Sequence, residues 1–235
     1  FGSSKLSLVC GDLLYGRLEV VRMSAWWQNT RTIYCIGRNY VAHAHELGNA
    51  VPTQPFWFLK PASAIIPSGA QHHPFPGKTE THYEVELGVV IGTPACRVSP
   101  ENALDHVAGY CVALDMTDRA QQDVVKKEGK PWTACKGWDT SLPLSDLVPA
   151  ARVDPSKLNL WLKVNGEEKQ NGPTSNMIFD VPQLIAAISN VHTLQVGDLI
   201  LTGTPEGVGK VKPGDSIEAA CPELNLTLTT TVVES

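Results

Sequence analysis

Proline and glycine constrain the fold of this chain more than any other feature. Seventeen Pro and 19 Gly are spread through 235 residues, so many short elements joined by turns are expected. Between these breaks lie short runs rich in β-branched and aromatic residues, the mark of strands. They are IYCIG (33–37), FWFLK (56–60), YEVELGVVIG (83–92), GYCVALD (109–115), LNLWLKV (158–164), DLILTG (198–203), SIEAAC (216–221) and LNLTLTTTVV (224–233). Asn165-Gly166 follows LWLKV and predicts a tight hairpin with EEKQ returning antiparallel. Helical signals are fewer, at 39–47, 100–107, 117–128 and 181–190. Ser99 before Pro100, and Asp180 before Val181-Pro182, read as N-caps. Strands outnumber helices and do not alternate with them, which argues against a doubly wound parallel fold. The expectation is an α+β, β-rich domain over 31–235 with short helices at its edges, and 1–30 as an N-terminal appendage. Met23 is a candidate natural start, with residues 1–22 then vector-derived or a processed leader.

Composition narrows the function classes. Apolar residues at 43% and charged ones at 18% give a real core and argue against disorder. Nineteen Lys+Arg against 24 Asp+Glu leave a formal charge of -5, the wrong sign for a broad nucleic-acid footprint. No apolar run approaches the ~18 residues of a membrane span. The six cysteines are scattered, with no C-x-x-C pair, so buried reduced thiols in a cytoplasmic-type compartment are expected rather than a zinc site or a disulfide framework.

Carboxylates carry the first chemical signal. Glu84 and Glu86 in HYEVELGVVIG are two apart, and in a strand such residues share a face. Like charges that close repel unless a cation neutralises them. Asp115 ends the apolar run GYCVALD, where an unpaired carboxylate is costly. Three carboxylates at neighbouring strand ends make an oxygen-rich site suited to Mg2+ or Mn2+. The alternatives are a solvated strand end for Glu84 and Glu86, and a helix N-cap for Asp115.

Other residues gather around that signal. Arg119 and Gln122 are three apart in a helical stretch and share a face. Arg119 is suited to gripping a substrate carboxylate, or is a solvated helix residue. Lys126 and Lys127 read as surface charges complementing the helix dipole. His43 and Glu46 are also three apart, so a carboxylate can orient an imidazole there; an ordinary surface pair has the same spacing. His45 lies off that line and reads as a surface residue. Lys60 and Lys136 end apolar or Trp-containing stretches, suited to an anion or to snorkelling. LTGTPEGVGK (201–210) fails as a phosphate loop because the glycine spacing is wrong, but its Thr204 and backbone N–H groups can still face an anion.

With these residues in view, the chain resembles the fumarylacetoacetate hydrolase family. The matching stretches are GRNYVAHAHELGN, PFWFLKP, HYEVELGVVIG, GYCVALDMTDRAQQD, PWTACK, LWLKVNGE and LTGTPEGVG, in order over about 31–233. Within the family it is most similar to the acylpyruvase and oxaloacetate decarboxylase branch. That resemblance implies a mixed β-sandwich roll, usually a homodimer, with Mg2+ or Mn2+ held by Glu84, Glu86 and Asp115. It implies His43 and Glu46 as a water-activating lid pair. It places Arg119, Gln122, Lys136 and Thr204 around the pyruvate end of a 2-oxo acid, with Lys60 nearby and Lys136 balancing enolate charge. The implied activity is cleavage of acylpyruvates, together with decarboxylation of oxaloacetate; the alternative is an isomerase or tautomerase on the same site. A cytoplasmic setting follows, or a mitochondrial one in a eukaryote. After Lys136 the chain reads Gly-Trp-Asp, where Ser-Phe-Asp is the common family pattern.

Overall fold

The computed structural model describes residues 25–75, 80–151 and 153–234. Its strands form three sheets. The largest has eight strands, seven of them in the order Trp57–Lys60, Ile33–Ile36, Leu199–Leu201, Val85–Ile91, Val107–Leu114, Leu142–Leu144, Ile65–Pro67, with Val148–Pro149 also pairing with Val107–Leu114. The second runs Glu167–Pro173, Asn159–Val164, Ser216–Cys221, Leu226–Val232, Gln71–His72. A small third sheet joins Gly209–Lys210, Thr81–Tyr83 and Thr117–Asp118. The expected hairpin is present, with Asn159–Val164 and Glu167–Pro173 antiparallel.

Burial explains the two kinds of strand sequence. Every residue of Val85–Ile91 is buried, because the large sheet is covered on both faces. One face meets the second sheet and α4 (Val181–Ser189) in a core built on residues such as Leu87, Leu160, Leu184 and Leu228. The other face carries a smaller cluster of Trp26, Ile33, Cys111, Leu142 and Leu199. Leu226–Val232 in the second sheet instead alternates buried and exposed, covered on one face only.

Helices are short and peripheral. They are α1 (Val41–Glu46), α2 (Arg119–Glu128), α3 (Thr133–Lys136) and α4. Asp180 caps α4 in a reciprocal box with Gln183, with bonds of 2.9 and 3.0 Å. Ser99 does not repeat this. Residues Pro100–His106 form a 3-10 helix with no side-chain cap, the tighter i→i+3 turn replacing the expected α-helix. The stretch expected to be helical from 117 starts later, because Thr117–Asp118 pairs as a strand with Thr81–Tyr83. Asp118, not Asp115, caps α2 by accepting the Gln121 N–H at 3.2 Å.

Of the expected appendage 1–30, only residues 25–30 are described. Trp26 there is buried in the smaller cluster and its indole donates to the Ser145 carbonyl at 3.1 Å. The proposed start at Met23 and the leader 1–22 lie outside the described residues. Among the described cysteines all are free, with Cys35, Cys111, Cys135 and Cys221 buried and Cys96 exposed. Among the described residues, no helix is long and apolar enough to cross a membrane.

Candidate metal centre and active site

Strand pairing assembles the carboxylates. Glu84 sits where the chain leaves the Thr81–Tyr83 strand for Val85–Ile91, passing from the small sheet to the large one. The antiparallel register puts Val85 opposite Leu114, so Asp115 lands beside Glu84 and its N–H donates to the Glu84 carbonyl at 2.9 Å. Glu84, Glu86 and Asp115 are all buried, and one oxygen from each lies within 4.8 Å of the others. No other group of this kind occurs among the described residues.

Three buried carboxylates require compensating charge. Lys136, at the end of α3, places its ammonium 2.8 Å from Glu84 and 2.6 Å from Asp115, and donates to the Thr117 hydroxyl at 2.6 Å. Arg119 forks between Glu84 and the Gln122 carbonyl oxygen, the latter at 2.6 Å. Burial alone would raise the Glu84 carboxyl, but Lys136 and then Arg119 outweigh it and hold it well below the usual range. Among the described residues Glu86 has no ion pair. It accepts the Gly203 N–H at 2.7 Å, and burial, reinforced by Asp115 and Glu84 and opposed by Lys136, pushes its carboxyl well up.

This donor set fits a hard divalent cation. Asp115 Oδ1 is buried and is met by the Lys60 ammonium at 2.9 Å, outside good hydrogen-bond alignment. A buried carboxyl driven toward its protonated form beside two others, with Glu86 outside any ion pair among the described residues, is what such a cation relieves. All three donors are oxygens, the preference of Mg2+ or Mn2+ rather than zinc or copper.

The expected contact between His43 and Glu46 is formed. His43 Nδ1 lies 3.2 Å from Glu46 Oε2 on α1. Glu46 Oε1 also accepts the Gly207 N–H at 3.0 Å. Gly203 and Gly207 both have φ of +93°, a conformation suited to glycine. At Gly207 a Cβ would meet the Lys169 carbonyl at 2.0 Å. The 201–210 loop therefore does present N–H groups to anions, but the anions are this protein's own Glu86 and Glu46.

All the expected site residues except Glu46 and Lys60 line one cavity. Lys60 is sealed behind it, donating to the carbonyls of Met116, Lys136 and Ser141. The expectation that Lys60 meets substrate gives way to a clamp on Asp115, because its ammonium is surrounded by those acceptors. Lys126 is corrected in the other direction. It is half-buried, lines the cavity and lies over the Trp132 ring at 5.4 Å, as well as sitting in the last turn of α2. His45 is exposed, as expected.

Two supporting residues escaped the reading of the chain. Buried Gln170 donates to the Thr204 hydroxyl at 2.8 Å and accepts the Val85 N–H at 3.0 Å, tying the second sheet to the site. Buried Asn39 donates to the carbonyls of Phe179 and Thr202 at 2.9 and 2.8 Å and accepts the Phe179 N–H at 2.8 Å. Neither has a spacing signal, since their partners are more than 30 residues away or on other elements.

Known proteins share this architecture. Residues 32–233 match the fumarylacetoacetate (FAA) hydrolase C-terminal family model. A mitochondrial oxaloacetate tautomerase FAHD1 of Arabidopsis thaliana is 53% identical over 191 residues, 80% of this chain and 84% of its own length. A mitochondrial oxaloacetate decarboxylase of Dictyostelium discoideum is 48% identical, covering 83% of this chain and 91% of that protein. Among solved structures, fumarylpyruvate hydrolase from Pseudomonas aeruginosa, in complex with Mn2+ and pyruvate, is 36% identical with a TM-score of 0.84, over 95% of this chain and all of that one. A 5-carboxymethyl-2-hydroxymuconate delta-isomerase from Mycobacterium smegmatis is 38% identical with a TM-score of 0.78, over 88% of this chain and 80% of that one. With a family match across almost every described residue, and relatives that are enzymes, the chain belongs to the fumarylacetoacetate hydrolase family of enzymes.

Proposed function

We propose that this protein is a divalent-metal-dependent enzyme acting on oxaloacetate and related 2-oxo acids at the carbon next to the ketone. The observation that carries the reading is the buried triad of Glu84, Glu86 and Asp115, with Lys136, Arg119, Gln122 and Thr204 on one cavity. The relatives named for oxaloacetate at about half identity support the substrate. A Mg2+ or Mn2+ held by the triad supplies positive charge that makes the adjacent C–H acidic. Lys136 offsets the negative charge that develops on the 2-oxo oxygen. Arg119 and Gln122 bind the carboxylate end. An ionised Glu46 can only accept, so it takes the Nδ1–H of His43, and in the neutral imidazole that leaves the lone pair on Nε2. That nitrogen takes a proton from C3 of the keto form and the 2-oxo oxygen is protonated to give the enol; in the reverse direction the oxygen loses its proton and C3 regains one from the His43 ring. Loss of CO2 from the same carbon gives pyruvate enolate and needs no water.

A second reading is favoured by the His43–Glu46 pair and by the fumarylpyruvate hydrolase relative. In it the pair deprotonates a water that adds to the distal carbonyl of an acylpyruvate. The C–C bond breaks, and pyruvate leaves as its enolate and is protonated at C3. A homodimer belongs to this proposal, as does a mitochondrial setting, which the names of the relatives support.

The deciding experiment offers oxaloacetate, acetylpyruvate and fumarylpyruvate with Mg2+, Mn2+ or EDTA, and identifies products by mass. Oxaloacetate is expected to turn over with metal, to stop in EDTA and to recover with Mn2+. Glu84→Gln should lose Mn2+ binding in titration calorimetry. Oxaloacetate untouched with either metal, or turnover indifferent to EDTA, would refute the reading.

A further inference from the structure

The cavity at the triad is small, about 30 Å3, room for roughly two waters. A four-carbon 2-oxo acid bound by its 2-oxo carboxylate end there must extend outward. Outward lies an open vestibule of about 570 Å3 that shares Arg38, Asn49, Lys126 and Trp132 with the inner cavity. Its lining adds Lys127 and Lys130, the latter paired with Glu128 at 2.7 Å, and among the described residues that line it there is no acid, on a chain whose net charge is -5.

Two of the cations at the passage are seated on adjoining aromatic rings. Arg38 lies over Phe56 at 5.7 Å, Lys126 lies over Trp132 at 5.4 Å, and those rings meet edge to face at 6.1 Å. Arg38 has no ion pair among the described residues, and Lys126 has only Asp123 at the long distance of 3.9 Å. Burial weakens the hold of Lys126 on its proton, and Arg119, Arg38 and Lys136 add to that, opposed by Asp123. These charges therefore converge on one place. Arg38 also holds a left-handed backbone, φ +56°, which is costly for a residue with a Cβ.

We infer that Arg38 and Lys126 form a second anion subsite at the cavity mouth, gripping the far carboxylate of a 2-oxo diacid. The enzyme is then built for diacids such as oxaloacetate over monoacids with an uncharged tail. This rests on the proposed function, which puts the 2-oxo carboxylate end at the inner cavity.

The test uses the Mn2+-loaded protein and calorimetric binding of two probes. 3-Sulfopyruvate carries an anionic far arm that cannot leave as CO2, and pyruvate has no such arm. Wild type should bind sulfopyruvate at least about tenfold more tightly than pyruvate, as a charge-assisted contact provides, and added salt should erode that advantage. Arg38→Gly and Lys126→Met together should abolish the preference and leave pyruvate affinity within about twofold. Arg38→Lys should keep most of it. Arg38→Gly suits the left-handed backbone, so its thermal unfolding temperature should not fall, separating lost binding from lost folding. Equal affinity of wild type for both probes, or variants that weaken both alike, would overturn the subsite while oxaloacetate turnover still upholds the proposed function. Failure to bind either probe together with no oxaloacetate turnover would refute both.

Discussion

Lys60 and Lys136 show how little a residue type says without its surroundings. Both end apolar stretches and both are buried, yet Lys136 lines the cavity and Lys60 is closed behind Asp115. Short spacings made other residues legible. His-x-x-Glu and Arg-x-x-Gln on helices each place two side chains together by backbone geometry alone, and both pairs meet; Glu84 and Glu86 also meet, although Glu84 lies at the junction between two strands rather than inside one. Arg38 was illegible, because nothing local marks a left-handed arginine. At this scale His43→Ala is the sharpest test of the dyad. Acylpyruvate hydrolysis should fall 10²–10⁴-fold, roughly the worth of general-base help, with Mn2+ affinity retained in calorimetry. Unchanged turnover would remove His43 from the mechanism.

At the scale of elements, α1 is the weakest part of the site. Six residues are too few for a helix to hold by itself, and its N-cap, Tyr40, makes no side-chain cap. Asn39 moors it instead, joining the α1 entrance to Phe179 before α4 and to Thr202 before the Gly203 turn. Asn39→Ala should lower urea-measured stability by about 2–3 kcal/mol, since it leaves buried backbone groups unpaired. A loss below about 0.5 kcal/mol would show that the mooring lies elsewhere. The long strands and α4 were readable from runs of apolar residues and from the Asp180 cap. Strands such as Ile65–Pro67 and Leu142–Leu144 were not, because they are three residues long and contain proline. They exist through parallel pairing with each other across more than 70 residues.

Across the whole molecule, the second sheet and the 140s loop enclose His72. It has no exposed surface, its Nδ1 lies 2.9 Å from the Thr140 carbonyl, and Nε2 has no hydrogen-bond partner among the described residues. Burial lowers its pKa to about 4, from an ordinary 6.5. A folded pKa below the unfolded one means that the unfolded chain takes up the extra proton first. The neutral ring's contribution is therefore complete above pH 6.5 and is lost as pH falls toward about 4. Urea titrations should show wild type losing up to about 3 kcal/mol more than His72→Gln across that window. Parallel stability curves for the two proteins would contradict this.

The chain by itself determined the β-rich class, the helix at 181–190, and which acids, lysines and arginine could take part in chemistry. These are short-range properties, set by propensity, burial pattern and spacings of two to four residues. Tertiary structure alone decided that Glu84, Asp115, Arg119, Lys136 and Thr204 share one cavity, that Lys60 does not, and that Arg38 and Lys126 flank its mouth. The physical reason is the pairing of distant strands, such as Ile33 beside Leu199, which is driven by burying both faces of the large sheet. That burial brings the charges together, and no local pattern in the sequence records where they meet.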